Sequence, residues 1–344
     1  REDWLHSLAA DLAAIRKAGP QVIVVSSGAI ALGAARLGLA KGGRGSLADA
    51  QAAAAVGQIA LADLWSRALS AEGITAGQML LTLGDLEDRR RYLNASATLD
   101  RLLEAGVIPV INENDSVATE EIRFGDNDRL AARVAQAANA DAVLLLSDVD
   151  GLYDRDPREE GATLIPVVDA VTPQVMAMAS GASSSGLGSG GMVSKLQAAQ
   201  IAARAGIALA ILNGTHDAPI AHALGAGTGT LFLPVSAASA RKAWLGGRLA
   251  PAGELRVDKG CAEALKAGGA SLLAAGVVGV SGAFRRGDLV SVVSMKGERL
   301  AQGLAEYDAA EMQAIAGRRA EDQAERLGYA PRSCVIHRDH MVLL

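Results

Sequence analysis

From its start to about residue 233 the chain alternates short apolar runs with longer stretches in which apolar residues recur at helical spacing. Trp4, Leu5, Leu8, Leu12 and Ile15 predict an amphipathic helix over residues 1–18. Val22-Ile23-Val24-Val25 is all apolar, as expected of a short strand covered on both faces. Ser26-Ser27-Gly28 then caps a helix through Ala29–Leu32, and an alanine-rich helix runs from about Ser46 to Leu69. Further strands are predicted at Ile74–Leu81, Val107–Ile111, Ala142–Leu146, Ala208–Leu212 and Gly229–Leu233, with a helix around Asn94–Leu103. The order is that of an α/β domain with a mostly parallel central sheet sandwiched by helices.

The pattern changes at Pro234. Residues 234–251 are mostly small and read as a linker. From Ala252 onward, short strands broken by glycine are predicted at Glu254–Asp258, Val277–Val280 and Asp288–Val293, which makes residues 252–344 a small β-rich domain. Residues 1–233 are the first domain. It opens on a helix where an α/β domain usually opens on a strand, so we expect its first strand to be missing.

Composition narrows the function classes. Half of the 344 residues are apolar and only 3% are aromatic, so the core is built from Ala, Val, Leu and Ile. A net charge of −5 argues against a general affinity for nucleic acid or for an anionic membrane. Residues 252–344 hold 12 Lys plus Arg and 12 Asp plus Glu, which is no electrostatic footprint for nucleic acid; Arg285-Arg286 reads as an exposed solvated pair. Cys261 and Cys334 have no metal-ligand spacing and read as buried thiols in a reducing compartment. The five histidines are scattered, and neither a metal site nor a nucleophile triad is read. No apolar run reaches about 18 residues and no signal peptide is seen, so we expect a cytoplasmic protein with no membrane partner.

Two segments carry chemistry. Behind the strand at Val107–Ile111 stand Asn112, Glu113, Asn114 and Asp115, followed by Asp126, Asn127 and Asp128. Open α/β sheets bind ligands at the carboxyl ends of their strands, and carboxylates with amides there suit a small polar substrate bearing an amine. The second segment is Gly186-Leu187-Gly188-Ser189-Gly190-Gly191-Met192-Val193-Ser194-Lys195, followed by an alanine-rich helix from Leu196. Lys195 is the only lysine between Lys41 and Lys242, where arginine serves elsewhere, so a compact ammonium is needed there. A glycine-rich loop feeding a helix N-terminus is a phosphate cradle. It matches G-x-G-x-x-G, yet follows Ser183-Ser184-Ser185 instead of a first strand, and Ser194 replaces the glycine of a Walker A loop. Asp128 also reads as an N-cap for a helix over Arg129–Ala138.

Together the segments SSGAIALG (residues 26–33), INENDSVATEEIRFGDNDRLAA (111–132), LLLSDVDGLYDRDPR (144–158) and GLGSGGMVSKLQAA (186–199) resemble the glutamate 5-kinases of the amino acid kinase family. The C-terminal part, PAGELRVDKG through VSGAFRRGDLV, resembles the PUA domain of their bacterial members. The resemblance implies ATP-dependent phosphorylation of the γ-carboxylate of L-glutamate, Mg²⁺, feedback inhibition by proline, and a homo-oligomer, commonly a tetramer. It assigns Ser27, Asp115 and Asn127 to glutamate. Ser147 and Asp148, with Ser189, Gly190, Gly191, Met192, Val193, Ser194 and Lys195, fall to ATP. Lys195 would lie against the transferring phosphoryl group, with Asp128 orienting it. The family's first strand carries a lysine and a glycine-serine turn that reach the phosphates, and nothing before the helix at residues 1–18 supplies them. A catalytically impaired or regulatory homologue is therefore the alternative.

Overall fold

The computed structural model describes residues 2–117, 126–180, 189–234 and 251–344. The backbone falls into two compact units, residues 1–88 with 94–237, and residues 89–93 with 238–344.

The first unit follows the predicted alternation. Helix α1 (Glu2–Lys17) leads to β1 (Val24–Val25), α2 (Ala29–Leu37), α3 (Leu47–Ala71), β2 (Ala76–Leu81), α4 (Leu83–Glu87), α5 (Arg89–Glu104) and β3 (Ile108–Glu113). Then come α6 (Asp126–Ala137), β4 (Ala142–Ser147), β5 (Val167–Val168), α7 (Pro173–Ser180), α8 (Ser189–Arg204), β6 (Ala208–Asn213), α9 (Pro219–Ala226) and β7 (Thr230–Phe232). The strands form two hydrogen-bonded groups, a parallel three-stranded sheet of order β1-β3-β2 and a four-stranded sheet of order β4-β6-β7-β5. Among the named strands of the described residues in this unit, only the β6–β7 pair is antiparallel. Pro109 lies inside the middle strand β3, where a missing N–H should break a ladder. It is tolerated because Ile108 donates to Thr75 on the β2 side, so Pro109 turns its nitrogen to the β1 side, where pairing begins only at Val24↔Val110.

Helix α3 packs on β1 and β3 through Leu61, Trp65, Ala68 and Leu69, buried with Val24, Ile108 and Val110. It approaches α2 at two glycines. A Cβ on Gly33 would collide with the Ala53 carbonyl, and one on Gly57 with the Ala29 carbonyl. Polar side chains of α1 close the start of α9. Asp11, 8% exposed, accepts from the amides of Ile220 at 2.8 Å and Ala221 at 3.2 Å, and Ser7 Oγ accepts from Ala218 at 2.9 Å. A carboxylate at a helix N-terminus satisfies free amides and the dipole together.

The second unit contains β8 (Gly253–Val257), α10 (Lys259–Ala267), β9 (Val277–Gly282), β10 (Leu289–Val293), β11 (Arg299–Leu304), α11 (Ala309–Ile315), α12 (Ala320–Leu327) and β12 (Met341–Leu343). Its sheet has the order β12-β11-β10-β8-β9, around a core that includes Leu255, Val290, Val292, Tyr307 and Ile336. Arg286 departs from the expected solvated pair: it bonds Glu306 at 3.1 Å with both side chains nearly buried. Both cysteines are free, and burial pushes each thiol up to about 11. Most of the stretch expected to be a linker, residues 235–250, lies outside the described residues.

The glycine contact between α2 and α3 yields a stability prediction. Gly57→Ala should cost about 3 kcal/mol, because backbone faces it on the far side and the fit cannot relax cheaply. Gly225→Ala, at a helical position with open space around it, is the control and should be neutral or better. Equal thermal unfolding midpoints for the two variants would remove the close approach as a constraint.

Candidate active site

Parallel pairing brings the carboxyl ends of β1, β3 and β2 to one edge of the three-stranded sheet. After β1 the chain turns at Ser26-Ser27-Gly28 into α2. Gly28 has φ 108 with open space around it, a left-handed conformation that suits glycine. Ser27 is exposed there, while Ser26 is held, its amide donating to the Ile111 carbonyl at 2.8 Å and its Oγ accepting from Trp65 Nε1 at 2.8 Å. After β3 come Asn114 and Asp115. Asn114 donates its amide to Leu81 at 3.1 Å and accepts from Ser116 Oγ at 2.6 Å, which ties the turn to β2. Asp115 is half-buried in it.

Asn112 is almost fully buried at 2% exposure. Its Nδ2 donates to Gln58 Oε1 at 2.8 Å, and its Oδ1 has no hydrogen-bond partner among the described residues. Asn127, in the first turn of α6, likewise has a buried Oδ1 without a partner. Buried amide oxygens are rarely left so, which makes both candidates for a ligand's donor groups.

At the next position, Asp128 meets Lys195. Lys195 Nζ donates to Asp128 Oδ2 at 2.9 Å, with the two side chains 13% and 17% exposed. The helices carrying them, α6 and α8, share a core through Ala132, Ala135, Leu196 and Ala199, which fixes the pair from below. The structure corrects two expectations here. Ser189 to Lys195 are not loop but the first two turns of α8, and Asp128 stands inside the first turn of α6, not at its N-cap. Glycines disfavour helix, but Met192 and Val193 pack against the core, and burial outweighs propensity. Gly186 and Gly188 lie outside the described residues, as do Asp126's and Ser189's side chains.

The four-stranded sheet supplies another strand end. Ser147 Oγ donates to Asp148 Oδ1 at 3.2 Å, and the Gly214 amide donates to the Ser147 carbonyl at 2.7 Å. Asp150 accepts from Asn213 Nδ2 at 2.8 Å, and Asn213 Oδ1 in turn accepts from Thr215. So Ser147 and Asp148 are joined to each other, Asp128 to Lys195, and Ser27, Asp115 and Asn127 stand on three separate elements. Gln58, Trp65, Asp150 and Asn213 were not among the sequence candidates. Gln58 alone left a trace, a polar residue on the same helical face as Leu61, Trp65 and Leu69.

The profile of the amino acid kinase family matches residues 1–213, and that of the PUA domain matches residues 253–327. The chain is 67% identical over its whole length to the glutamate 5-kinase of Novosphingobium aromaticivorans, covering 91% of that protein. It is 62% identical to that of Sphingopyxis alaskensis, covering 92%, and 54% identical to that of Zymomonas mobilis, covering 87%. The chain belongs to the glutamate 5-kinases of the amino acid kinase family. As a member of that family it is a kinase with a C-terminal PUA domain, and ATP is its phosphoryl donor. The impaired or regulatory homologue is not favoured by relatives of this identity.

In this glutamate 5-kinase the Lys195–Asp128 pair is mostly shielded from water, so each partner depends on the other. Asp128→Leu alone should destabilise by about 3–5 kcal/mol, because it strands a buried ammonium. Adding Lys195→Met should recover most of that loss. Additive losses in a double-mutant cycle of chemical denaturation would show that the pair is not coupled.

Proposed function

We propose that the chain transfers the γ-phosphoryl group of ATP to the γ-carboxylate of L-glutamate, giving L-glutamyl 5-phosphate, the first intermediate of proline synthesis. The observation that carries this reading is the Lys195–Asp128 pair between α6 and α8, set in a chain that matches glutamate 5-kinases over its own whole length. Residues 1–233 are the kinase domain and residues 252–344 the PUA domain.

Phosphoryl transfer asks the protein for in-line positioning and for neutralisation of charge on the transferring oxygens. Lys195 supplies the ammonium that faces the phosphoryl group, and Asp128 holds its chain in one direction. The amides at the start of α8 are unpaired by helix geometry and sit at the positive end of the dipole. No side chain of the described residues crowds Gly191, so phosphate can approach its bare backbone. Ser189 to Ser194, with Ser147 and Asp148, hold the nucleotide. The glutamate γ-carboxylate is ionised at neutral pH, so no general base is required. Ser27 donates to a glutamate carboxylate, and Asp115 accepts from the ammonium. Asn127 and Asn112 offer their unpaired amide oxygens.

Mg²⁺ belongs with the nucleotide, where it neutralises phosphate charge. It is usually held by substrate phosphates, waters and one or two carboxylates. The family resemblance carries the remaining proposals: proline as feedback inhibitor, a homo-oligomer, commonly a tetramer, and a cytoplasmic location. No helix among the described residues is long and apolar enough to cross a membrane.

Acyl phosphate trapped with hydroxylamine should form from L-glutamate only when ATP and Mg²⁺ are both present, and its absence would refute the activity. Lys195→Ala should lower turnover by orders of magnitude with the far-ultraviolet circular dichroism unchanged; near-normal turnover would move Lys195 out of the phosphoryl site. For Asp115→Ala the expected change is a raised glutamate KM with the ATP KM intact. An unaltered glutamate KM would take Asp115 out of the amino-acid site.

A further inference from the structure

The contact between α3 and β3 is apolar along most of its length and ends on one polar pair. Ile108, Val110 and Asn112 share a face of β3, since side chains two apart point the same way. Gln58, Leu61, Trp65 and Leu69 share a face of α3 by helical spacing. Ile108, Val110, Leu61, Trp65 and Leu69 are buried in one cluster, and beyond it Asn112 Nδ2 donates to Gln58 Oε1 at 2.8 Å. Asn112 is 2% exposed, and its Oδ1 is buried with no partner among the described residues.

An asparagine amide can present either its oxygen or its NH₂ to a ligand, and a glutamine beside it can bond to either. With Gln58 accepting, the Asn112 oxygen is left over. With the pair reversed, an NH₂ would be left over, which suits a carboxylate and repels an ammonium. Glu113 and Asp115 follow directly on the same strand end and place negative charge there, which favours a cationic ligand group over an anionic one.

We propose that Gln58 is a positioning residue for amino-acid selection: by taking the Asn112 N–H it reserves Asn112 Oδ1 for the substrate's α-ammonium. The inference rests on the glutamate reading above. It makes Gln58 one source of the preference for an amino acid over a plain dicarboxylate of the same length.

The test compares L-glutamate with glutarate, which keeps both carboxylates and lacks the ammonium, in the hydroxylamine assay, with glutarate as substrate or as competitor. The wild-type chain should prefer glutamate. Gln58→Glu, which can only accept, should keep that preference. Gln58→Met should lose at least ten-fold of it through a raised glutamate KM, with glutarate behaviour and the ATP KM unchanged. Gln58→Lys, which can only donate, should lose it as well, and serves if the Met variant does not fold. An unchanged preference in the Met or Lys variant overturns the proposal. So does an equal weakening of glutamate, glutarate and ATP, which would make Gln58 a packing residue only. A wild-type chain that forms no acyl phosphate from glutamate would instead refute the activity itself, and the inference with it.

Discussion

Gly33 and Gly57 let α2 and α3 meet backbone to backbone, and much of the proposed amino-acid end of the site depends on that contact. With α2 and α3 this close, α3 lies directly over β1 and β3, and its inner face reaches both strand ends. Trp65 then holds Ser26 beside the exposed Ser27, and Gln58 holds Asn112. Two loops that are far apart in sequence are thus set by one helix. A side chain at either glycine would push α3 outward and loosen both anchors together.

The proposed nucleotide end is built on a different principle. Here the fixed element is an ion pair that most of the water has left. Breaking such a pair is costly even where forming it gained little, because the surviving charge stays buried. That asymmetry keeps Lys195 extended toward one place. Pre-oriented charge that need not reorganise as the reaction proceeds is what electrostatic catalysis requires. Asn213 and Asp150 give the neighbouring strand ends similar rigidity, through neutral and charge-assisted hydrogen bonds in place of an ion pair.

How far the sequence could be read depended on the range of the interactions involved. β3 was readable because five consecutive apolar residues covered on both faces leave a local signature, and the polar cluster behind it followed from strand-end geometry. The first turns of α8 were not, because Gly190 and Gly191 oppose helix locally while the packing of Met192 and Val193 that overrides them is tertiary. β5 has two residues, too few for any period. In the second unit β11 went unseen: RLAQGL does not alternate, and its Gly303 is there because a Cβ would strike Ile336 and the His340 carbonyl. Arg286 reads as solvent-facing until Glu306, twenty residues on, is seen to pair with it. Gln58 and Asn112 are separated by 54 positions, so no periodicity could have joined them.

The unpaired oxygen of Asn112 bears on how stability and selection are related in this chain. A buried acceptor without a donor costs about 1–3 kcal/mol, and replacing the Gln58–Asn112 pair by apolar residues of similar shape would remove that cost and extend the seam of Leu61, Trp65, Ile108 and Val110. The fold therefore carries a local penalty that packing alone does not explain. A ligand that supplies an N–H to this oxygen recovers the penalty on binding, and a ligand without one does not. Discrimination by a buried polar group of this kind is steeper than discrimination by apolar fit, since the analogue lacking the donor leaves the group unpaired. Selectivity at this strand end is then a property of the α3–β3 contact as much as of the loop residues that face the ligand.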